Sequence, residues 1–277
     1  MIGAVDIGGT KLLAAVAETA DGVLERHVRR PTVDADPLGA IAEMLDEARR
    51  GRPLDAVCMA VPGPFDRHPA RLRNPPNLPP AWQGLELGRG IGERFKCDVV
   101  VENDANCAAL AEARRGAAAG LDTVVYYTVS TGVGSGIVSG GRVITGRHDT
   151  EGGHQVVWPP WLGGPPCHCG GGGCLEAVAS GSAIERRFGR RPEELTDPEA
   201  WADVGRWLGI GVVNAITLHD PDAVVLGGGV TAAAPRFWPS LMATVNELLR
   251  LQPMPLVTLG SLGEDRNLYG ALALAGF

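Results

Sequence analysis

The chain begins with the segment Ala4-Val5-Asp6-Ile7-Gly8-Gly9-Thr10-Lys11-Leu12-Leu13-Ala14-Ala15-Val16, which decides the fold. Two apolar runs of strand type flank a Gly-Gly pair, and glycines between two such runs are typical of a β-hairpin turn. The same arrangement returns from Thr123 to Val138, where Gly132-Val133-Gly134-Ser135-Gly136 separates two apolar runs. The sequence therefore predicts a duplicated α/β unit, with a cleft between two halves that each begin with a hairpin.

The segments that follow each hairpin alternate between helical and strand patterns. Apolar residues recur at helical spacing from Pro37 to Arg50, and a short apolar run follows as a buried strand. We expect an α/β protein whose first domain covers residues 1–102 and is joined by a C-terminal helix at 266–277. The second domain is expected over residues 103–265, with a loop at 151–176.

The composition is that of an ordinary globular protein with a small-molecule ligand. Of the 277 residues 45% are hydrophobic, the formal net charge is -7, and Lys and Arg are scattered along the chain. This distribution lacks the basic patch that nucleic acid or an anionic membrane requires. The N-terminal sequence lacks the features of a signal peptide, and no apolar run has the length of a transmembrane helix. Of the six cysteines, three stand singly and the other three are packed within eight residues, a spacing that suits a metal better than disulfides. We therefore expect a cytoplasmic protein.

Metal-ligand residue types are concentrated in one short stretch. Glu151-Gly152-Gly153-His154 is followed by Cys167-His168-Cys169-Gly170-Gly171-Gly172-Gly173-Cys174-Leu175-Glu176. A Cys3His set closes a tetrahedral structural zinc site without an open position for water. We expect zinc to shape this loop and to leave the two flanking glutamates able to accept hydrogen bonds from a polyhydroxylated ligand such as a sugar. The zinc ligands are predicted to be His154, Cys167, Cys169 and Cys174.

The glycine turns are candidates for binding phosphate, because backbone N–H groups can converge on an anion where side chains are absent. Their spacing fits neither a Walker loop nor the dinucleotide fingerprint, and a single glycine turn is explained equally well by hairpin geometry. The recurrence of these turns beside an acidic residue favours a nucleotide. In that interpretation Asp6 holds a hydrated Mg²⁺ against phosphates cradled by Gly8, Gly9, Thr131 and Gly132.

Asp104 is a candidate because it follows a predicted strand and precedes a helical run. Ligands of open α/β sheets lie outside the carboxyl ends of the strands. The alternative is that Asp104 only caps the following helix, while Glu102 or Asn103 contacts the ligand.

With these residues in place, the chain resembles the ROK family (repressors, open reading frames, kinases), which comprises sugar kinases of the actin-like ATPase superfamily. The resemblance covers essentially the whole chain and implies two actin-like, ribonuclease H-like α/β domains that flank a nucleotide- and sugar-binding cleft. It rests on Asp6 to Lys11, Glu102 to Asn106, Ser130 to Gly136, Glu151 to His154, the cysteine cluster through Glu176, and Gly227-Gly228-Gly229.

The resemblance implies ATP as the phosphoryl donor, Asp104 as the catalytic base and a homodimer. His154 would ligate zinc through one ring nitrogen and face the sugar with the other. The sugar would contact Asn103, Glu151, His154 and Glu176, with Gly63 and Asn77 as further contributors. The nucleotide would contact Asp6, Gly8, Gly9, Thr10, Lys11, Thr131, Gly132 and Gly134 through its phosphates, and Gly227, Gly228 and Gly229 near its adenosine.

The residue type at position 151 indicates which sugar is the substrate. N-acetylmannosamine kinases of the family typically carry His at this position, whereas glucokinase-like members carry Glu, which can accept a hydrogen bond from a free C2 hydroxyl. Phosphorylation of glucose at the 6-hydroxyl is therefore expected. The alternatives are N-acetylmannosamine, fructose, allose or a cyclitol as the acceptor, and polyphosphate as the donor. A sugar-sensing repressor would need a helix-turn-helix before the first hairpin, and a sugar-binding protein without catalysis is the remaining alternative.

Three features depart from the family pattern, and one of them is a region between Glu176 and Gly227 that is shorter than usual. Gly152 stands where Ile is usual, which predicts a looser or reoriented backbone beside Glu151. A long insert, Gln155 to Pro166, separates His154 from Cys167 and contains Trp158 and Trp161. These tryptophans could stack on a sugar or pack the loop onto its own domain or a partner subunit.

Overall fold

The chain forms two α/β units in the computed structural model, which describes residues 1–75, 77–147 and 149–276. The first unit comprises residues 1–111 together with the segment that starts at Leu262, and the second comprises Glu112–Ser261. The sequence-based boundaries follow residues 102 and 265, whereas this division falls after residue 111, inside the helix Asp104–Arg115, and after residue 261. The last residue of the predicted C-terminal helix, position 277, lies outside the described residues.

The sheet of the first unit has five strands, and the predicted N-terminal hairpin supplies its central strand and a neighbour of that strand. The strands are β1 (Ile2–Ile7), β2 (Lys11–Ala17), β3 (Glu25–Pro31), β4 (Ala56–Val61) and β7 (Asp98–Asn103). Their order is β3-β2-β1-β4-β7, in which β1 is antiparallel to β2 and parallel to β4. A separate short hairpin is formed by β5 (Phe65–Asp66) and β6 (Arg71–Leu72).

The helices of the first unit cover this sheet with apolar faces. They are α1 (Pro37–Arg49), α2 (Leu87–Phe95), α3 (Asp104–Arg115) and, from the C-terminal segment, α8 (Arg266–Leu274). Helix α1 begins after Asp36, whose Oδ1 accepts a hydrogen bond from the Gly39 N–H at 2.9 Å, and it buries Ile41, Met44, Leu45 and Ala48. Helix α8 packs against β1 and β4.

The sheet of the second unit repeats that of the first. Its strands are β8 (Val124–Val129), β9 (Val133–Ser139), β10 (Arg142–Val143), β11 (Ala223–Gly227) and β12 (Leu256–Leu259). The order is β10-β9-β8-β11-β12, in which β8 is antiparallel to β9 and parallel to β11. Because strand order and direction match those of the first sheet, the two halves have the duplicated topology that the paired hairpins predicted.

The helices of the second unit are α4 (Leu175–Ala179), α5 (Gly181–Phe188), α6 (Pro198–His219) and α7 (Ala234–Leu248). The long helix α6 begins after Asp197, whose side chain accepts from the Glu199 N–H at 2.9 Å. It packs closely on α7, since a Cβ at Gly209 would lie 2.8 Å from the Leu241 carbonyl oxygen. Within the described ranges, none of the helices has both the length and the apolar character needed to cross a membrane.

Candidate functional site

The junction of β7 and α3 places three polar residues in a hydrogen-bonded turn. The Oδ1 atom of Asn103 accepts from the backbone N–H groups of Ala105 at 2.9 Å and Asn106 at 3.3 Å. Asn103 therefore caps α3, and Asp104 is the first residue of the helix. Because its oxygen is used in this way, Asn103 can offer its amide Nδ2 to a ligand. A Cβ at Gly63 would lie 3.9 Å from this nitrogen.

Glu102 holds this turn in place. Its buried carboxylate accepts from Arg67 through Nε at 3.1 Å and Nη2 at 2.5 Å, from the Asn103 N–H at 2.7 Å and from Asn106 Nδ2 at 3.0 Å. A buried carboxylate with this many donors is fully engaged. Glu102, one of the alternatives to Asp104 as a ligand residue, therefore anchors the segment that carries Asn103 and Asp104.

Asp104 shares its surroundings with a second carboxylate, that of Asp6 on β1. Burial, followed by the negative charge of Asp6, raises the pKa of Asp104 to about 6. Burial also raises the pKa of Asp6, against the opposing effects of the Asn267 hydrogen bond at 3.0 Å and of the positive charges of Arg266 and Lys11. Two like charges in one desolvated region give a carboxylate that can exchange a proton near neutral pH, and a divalent cation would stabilise the pair.

The turn between β1 and β2 is closed by a hydrogen bond from the Gly8 N–H to the Lys11 carbonyl at 3.0 Å. Neither Gly8 nor Gly9 has a positive φ. Gly9 is required for a different reason, because a Cβ there would lie 2.4 Å from the carbonyl oxygen of Asn77. The glycine turn and the Asn77 loop are thus in direct contact within the first unit.

Thr10 and Lys11 complete this turn. The Thr10 carbonyl accepts from the Thr32 N–H at 3.1 Å. The Nζ atom of Lys11 lies 3.3 Å from Glu264 Oε1, in an ion pair that is partly exposed. The Lys11 ammonium therefore has an acidic partner in this structure, and a phosphate would have to compete with it.

The corresponding turn of the second unit is fastened to Glu176. The Ser130 N–H donates to the Gly132 carbonyl at 2.8 Å, and the Val133 N–H donates to Glu176 Oε2 at 2.9 Å. A Cβ at Gly132 would lie 2.4 Å from the same carboxylate oxygen. Thr131 remains exposed at the tip of the turn, and Gly134 lies half-buried in β9.

The glycine segment after β11 borders a cavity of about 730 Å³ in the second unit. Gly228 has a φ of 95° and closely approaches the Val129 carbonyl, and the Gly229 N–H donates to Ser130 Oγ at 3.1 Å. Gly227 is buried at the end of the strand, where a Cβ would clash with Tyr126. The lining of the cavity includes Ser130, Thr131, Gly229, Glu185, Arg191 and Arg236. This part of the predicted nucleotide site therefore forms a large concave surface.

The cysteine and histidine side chains of the 151–176 loop converge. The ligand atoms of His154, Cys167, Cys169 and Cys174 all lie within 4.8 Å of one another. Cys169 Sγ is 3.8 Å from Cys174 Sγ, and Cys167 Sγ is 3.6 Å from His154 Nδ1. Around a tetrahedral zinc, Zn–S bonds of about 2.3 Å and Zn–N bonds of about 2.0 Å give separations of about 3.8 Å between sulfurs and about 3.5 Å between sulfur and nitrogen. The donor set and its spacing therefore fit zinc.

Three side chains of this loop, those of Glu151, His154 and Glu176, are predicted to contact a sugar. Since His154 directs Nδ1 at Cys167, its Nε2 is the atom that could face a ligand. Glu176 is buried, with Oε2 bound to the Val133 N–H and Oε1 3.2 Å from His168 Nδ1. Glu151 is exposed at the start of a 3-10 turn, Gly152–His154, and desolvation raises its pKa against the opposing charge of His154.

The backbone beside Glu151 is held by hydrogen bonds on both sides of Gly152, so it is not looser, and a reoriented backbone stays a prediction. The Gly152 N–H donates to Ser135 Oγ at 2.7 Å, and its carbonyl accepts from Gln155 Nε2 at 2.9 Å. A Cβ at Gly152 would lie 2.7 Å from Ser135 Oγ and 3.0 Å from Tyr127 Cε1. Sequence reasoning did not single out Gln155, because nothing in the local pattern connects it with a partner on β8.

Trp158 packs the insert onto its own unit, which is one of the three arrangements that the sequence allows for its tryptophans. Trp158 stacks on Trp207 of α6 with ring centroids 4.9 Å apart and an interplanar angle of 7°. Its Nε1 donates to the Leu162 carbonyl at 2.8 Å. Trp161, in contrast, is 81% exposed.

The chain is similar over nearly its whole length to known sugar kinases. Kanosamine kinase from Amycolatopsis mediterranei is 34% identical to the chain, with 98% of the chain and 95% of the relative covered. A glucokinase from Thermotoga maritima is 32% identical at the same coverage. The structure of a ROK hexokinase from Thermus thermophilus superposes with a TM-score of 0.89 at 37% identity, covering 98% of this chain and 96% of that one. A ROK glucokinase from Streptomyces griseus, solved in complex with glucose and AMPPNP, gives a TM-score of 0.81 at 30% identity, with 99% of both chains covered.

The two five-stranded α/β units and these relatives define the class of protein, which is a sugar kinase of the actin-like ATPase fold. The sequence model of the ROK family matches residues 2–276. The chain belongs to the ROK family. The predicted fold class, family and enzyme class are thereby confirmed.

Proposed function

We propose that this protein transfers the γ-phosphoryl group of ATP to the 6-hydroxyl of glucose. The observation that carries the proposal is Asp104, a half-buried carboxylate at the carboxyl end of β7 whose pKa is raised to about 6. A general base works best when its pKa lies near the pH at which it operates. Glucokinases among the relatives and Glu at position 151 support glucose as the acceptor.

In the proposed reaction, Asp104 accepts the proton of the sugar hydroxyl as the hydroxyl oxygen bonds to the γ-phosphorus. The bond from that phosphorus to the bridging oxygen breaks, and ADP leaves. Phosphoryl transfer depends on positioning and charge neutralisation rather than on a covalent intermediate. Asn103 supports the base by capping α3, so that the first turn of the helix holds the Asp104 backbone in place.

Asp6 is proposed to hold Mg²⁺, which neutralises phosphate charge when bound. Its burial and its like-charged neighbour Asp104 fit a divalent cation, because both raise the free energy of the ionised carboxylate. The proposed phosphate contacts are the turn residues Gly8, Gly9, Thr10, Lys11, Thr131, Gly132 and Gly134.

The adenosine is proposed to occupy the cavity beside Gly227, Gly228 and Gly229. A volume of about 730 Å³ is sufficient for a nucleoside. The kinase relatives support ATP as the phosphoryl donor. Polyphosphate is the alternative, and an assay that compares the two donors distinguishes them.

The proposed sugar contacts are Asn103, Glu151, His154 and Glu176, with Gly63 and Asn77 as smaller contributors. Asn103 offers amide protons and His154 offers Nε2, whereas Glu151 offers carboxylate oxygens. This mixture of donors and acceptors suits the alternating hydroxyls of a hexose.

Zinc is proposed to be structural and to be bound by His154, Cys167, Cys169 and Cys174. When bound, it would hold the loop that carries Glu151 and Glu176 at its ends. A closed four-ligand site contributes folding free energy and no reactive water.

We also propose that the enzyme is a cytoplasmic homodimer without a nucleic-acid partner. The net charge of -7 and the scattered arginines support the last point. Light scattering coupled to size-exclusion chromatography tests the dimer.

The function is tested by ADP release from Mg-ATP with a panel of sugars: glucose, mannose, fructose, allose, kanosamine, N-acetylglucosamine and N-acetylmannosamine. We expect glucose to give the highest kcat/KM. 2-Deoxyglucose should give a clearly lower value, because it lacks the C2 hydroxyl that donates a hydrogen bond to Glu151. A preference for an N-acetyl sugar would overturn the assignment of glucose. If no sugar of the panel were phosphorylated with either ATP or polyphosphate, the assignment as a sugar kinase would be overturned.

A further inference from the structure

One glutamine in the insert connects the segments that carry both sugar-binding glutamates. Gln155 directly follows the 3-10 turn that begins after Glu151. Its backbone carbonyl accepts from the Leu175 N–H at 2.9 Å, and the next residue along α4 is Glu176. The main chain of Gln155 therefore joins two segments that are distant in sequence.

The side chain of Gln155 extends these connections to the sheet and to α6. Its Nε2 donates to the Tyr127 hydroxyl at 2.8 Å and to the Gly152 carbonyl at 2.9 Å. Its Oε1 accepts from Asn214 Nδ2 at 2.9 Å. Both amide protons and one oxygen lone pair are thus used.

The partners of Gln155 are themselves fixed. Tyr127 is buried in β8, its pKa is raised to about 12 by burial, and its hydroxyl is directed at the Gly211 carbonyl at 3.5 Å. Gly152 is held at its N–H by Ser135 as well as at its carbonyl by Gln155. These hydrogen bonds hold the turn on β8, β9 and α6, and the side-chain amide of Gln155 makes three of them.

We propose that Gln155 is a positioning residue that sets Glu151, on one side of the zinc loop, in register with Glu176 on the other. A carboxylate at this position could not donate to the Gly152 carbonyl, and an apolar side chain would remove the amide from Tyr127, from the Gly152 carbonyl and from Asn214. The inference rests on the proposed function only in the roles given to Glu151 and Glu176.

The test compares Gln155→Met, which preserves length and volume, with Gln83→Met, which changes an exposed glutamine of the first unit. We expect Gln155→Met to raise the KM for glucose about tenfold or more, with the KM for Mg-ATP changed less than about twofold. Tyr127→Phe should raise the glucose KM in the same direction by less, and the double variant should show less than the sum of the two effects. Gln83→Met should match the wild type.

Hydrogen exchange on the same variants provides a readout that needs no turnover. Peptides covering residues 151–157 and 173–178 should exchange about tenfold faster in Gln155→Met, while peptides from α1 remain unchanged. Unchanged exchange in both peptides would overturn the positioning role whether or not any sugar is phosphorylated. A parallel rise in both KM values with faster exchange throughout the unit would also overturn it, because the effect would then be general destabilisation. A wild-type protein that phosphorylates no sugar would instead overturn the proposed function, and the exchange data would still decide the role of Gln155.

Discussion

At the scale of single residues, Asp104 determines the pH dependence of the proposed reaction. The base must be ionised to accept a proton, and its pKa is raised to about 6 by burial and by Asp6. We expect kcat/KM for glucose to be level above pH 7 and to fall about tenfold per pH unit below pH 6. Excess Mg²⁺ should move the midpoint to lower pH, because a cation at Asp6 removes the like charge. A profile that stays level down to pH 5 would contradict Asp104 as the base.

The same raised pKa predicts the stability of Asp104→Asn. The folded protein binds the Asp104 proton more tightly than the unfolded chain, whose pKa is 3.8, so this group lowers the free energy of unfolding as pH rises from 3.8 to 6. Replacing the carboxylate with a neutral amide should therefore raise the free energy of unfolding at pH 7.5. The increase should be only about 1–2 kcal/mol, since the side chain is partly exposed and solvent weakens the effect. Turnover should be lost while glucose binding persists. Calorimetric titration measures glucose binding, and thermal melts measure stability. Near-normal turnover by Asp104→Asn would refute the role of Asp104 as the catalytic base.

At the scale of structural elements, the 151–176 loop depends on its metal. Cys169→Ser should lower the zinc content from one ion per chain, measured by mass spectrometry of the metal, and lower the melting temperature, because a structural site contributes folding free energy. Cys97→Ser is the control, since Cys97 lies in the first unit, outside the cluster. Equal melting temperatures and glucose KM values for zinc-loaded and zinc-free protein would contradict a structural role for the metal.

The insert is a second element with a testable role. Trp158 stacks on Trp207, and the backbone N–H groups of Val157 and Trp158 donate to the Gly173 carbonyl at 2.8 and 3.1 Å, next to the zinc ligand Cys174. We expect Trp158→Ala to lower the free energy of unfolding by about 1–3 kcal/mol, because it removes a partly buried stacked ring. Trp161→Ala, at a position 81% exposed, should change it by less than about 0.5 kcal/mol. Chemical denaturation compares the pair, and equal effects would show that the stack does not hold the loop.

At the scale of the whole molecule, periodicity predicted the elements well, whereas contacts between distant residues escaped it. The strand Ala56–Val61 and the helix starting at Pro37 were predictable because their apolar residues follow one period. Hairpin geometry explains the turn glycines only in part. At Gly9 and Gly132 a Cβ would collide with Asn77 and Glu176, so close packing and not the turn conformation requires glycine there. The Asn267 side chain that binds Asp6 lies 261 positions away, and a local pattern contains no information about such a pair.

The connectivity of the two units leads to a prediction about their independence. The second unit is one continuous segment, whereas the first is completed by α8, which buries Leu268, Ala271 and Leu272. The second unit begins and ends at adjacent points, because the Glu112 carboxylate accepts from the Ser261 N–H at 3.0 Å.

We therefore expect residues 1–111 alone to lack a cooperative thermal transition, because β1 and β4 lose the helix that covers them. The same residues joined through a short glycine-serine linker to 262–277 should regain the transition. Residues 112–261 should fold alone and bind zinc, because that unit has its own apolar core around Trp201, Phe237 and Leu241. Circular dichroism melts of the three polypeptides check these outcomes. A cooperative melt of residues 1–111 without α8 would show that the helix is dispensable, and an unfolded 112–261 segment would show that the second core depends on the first unit.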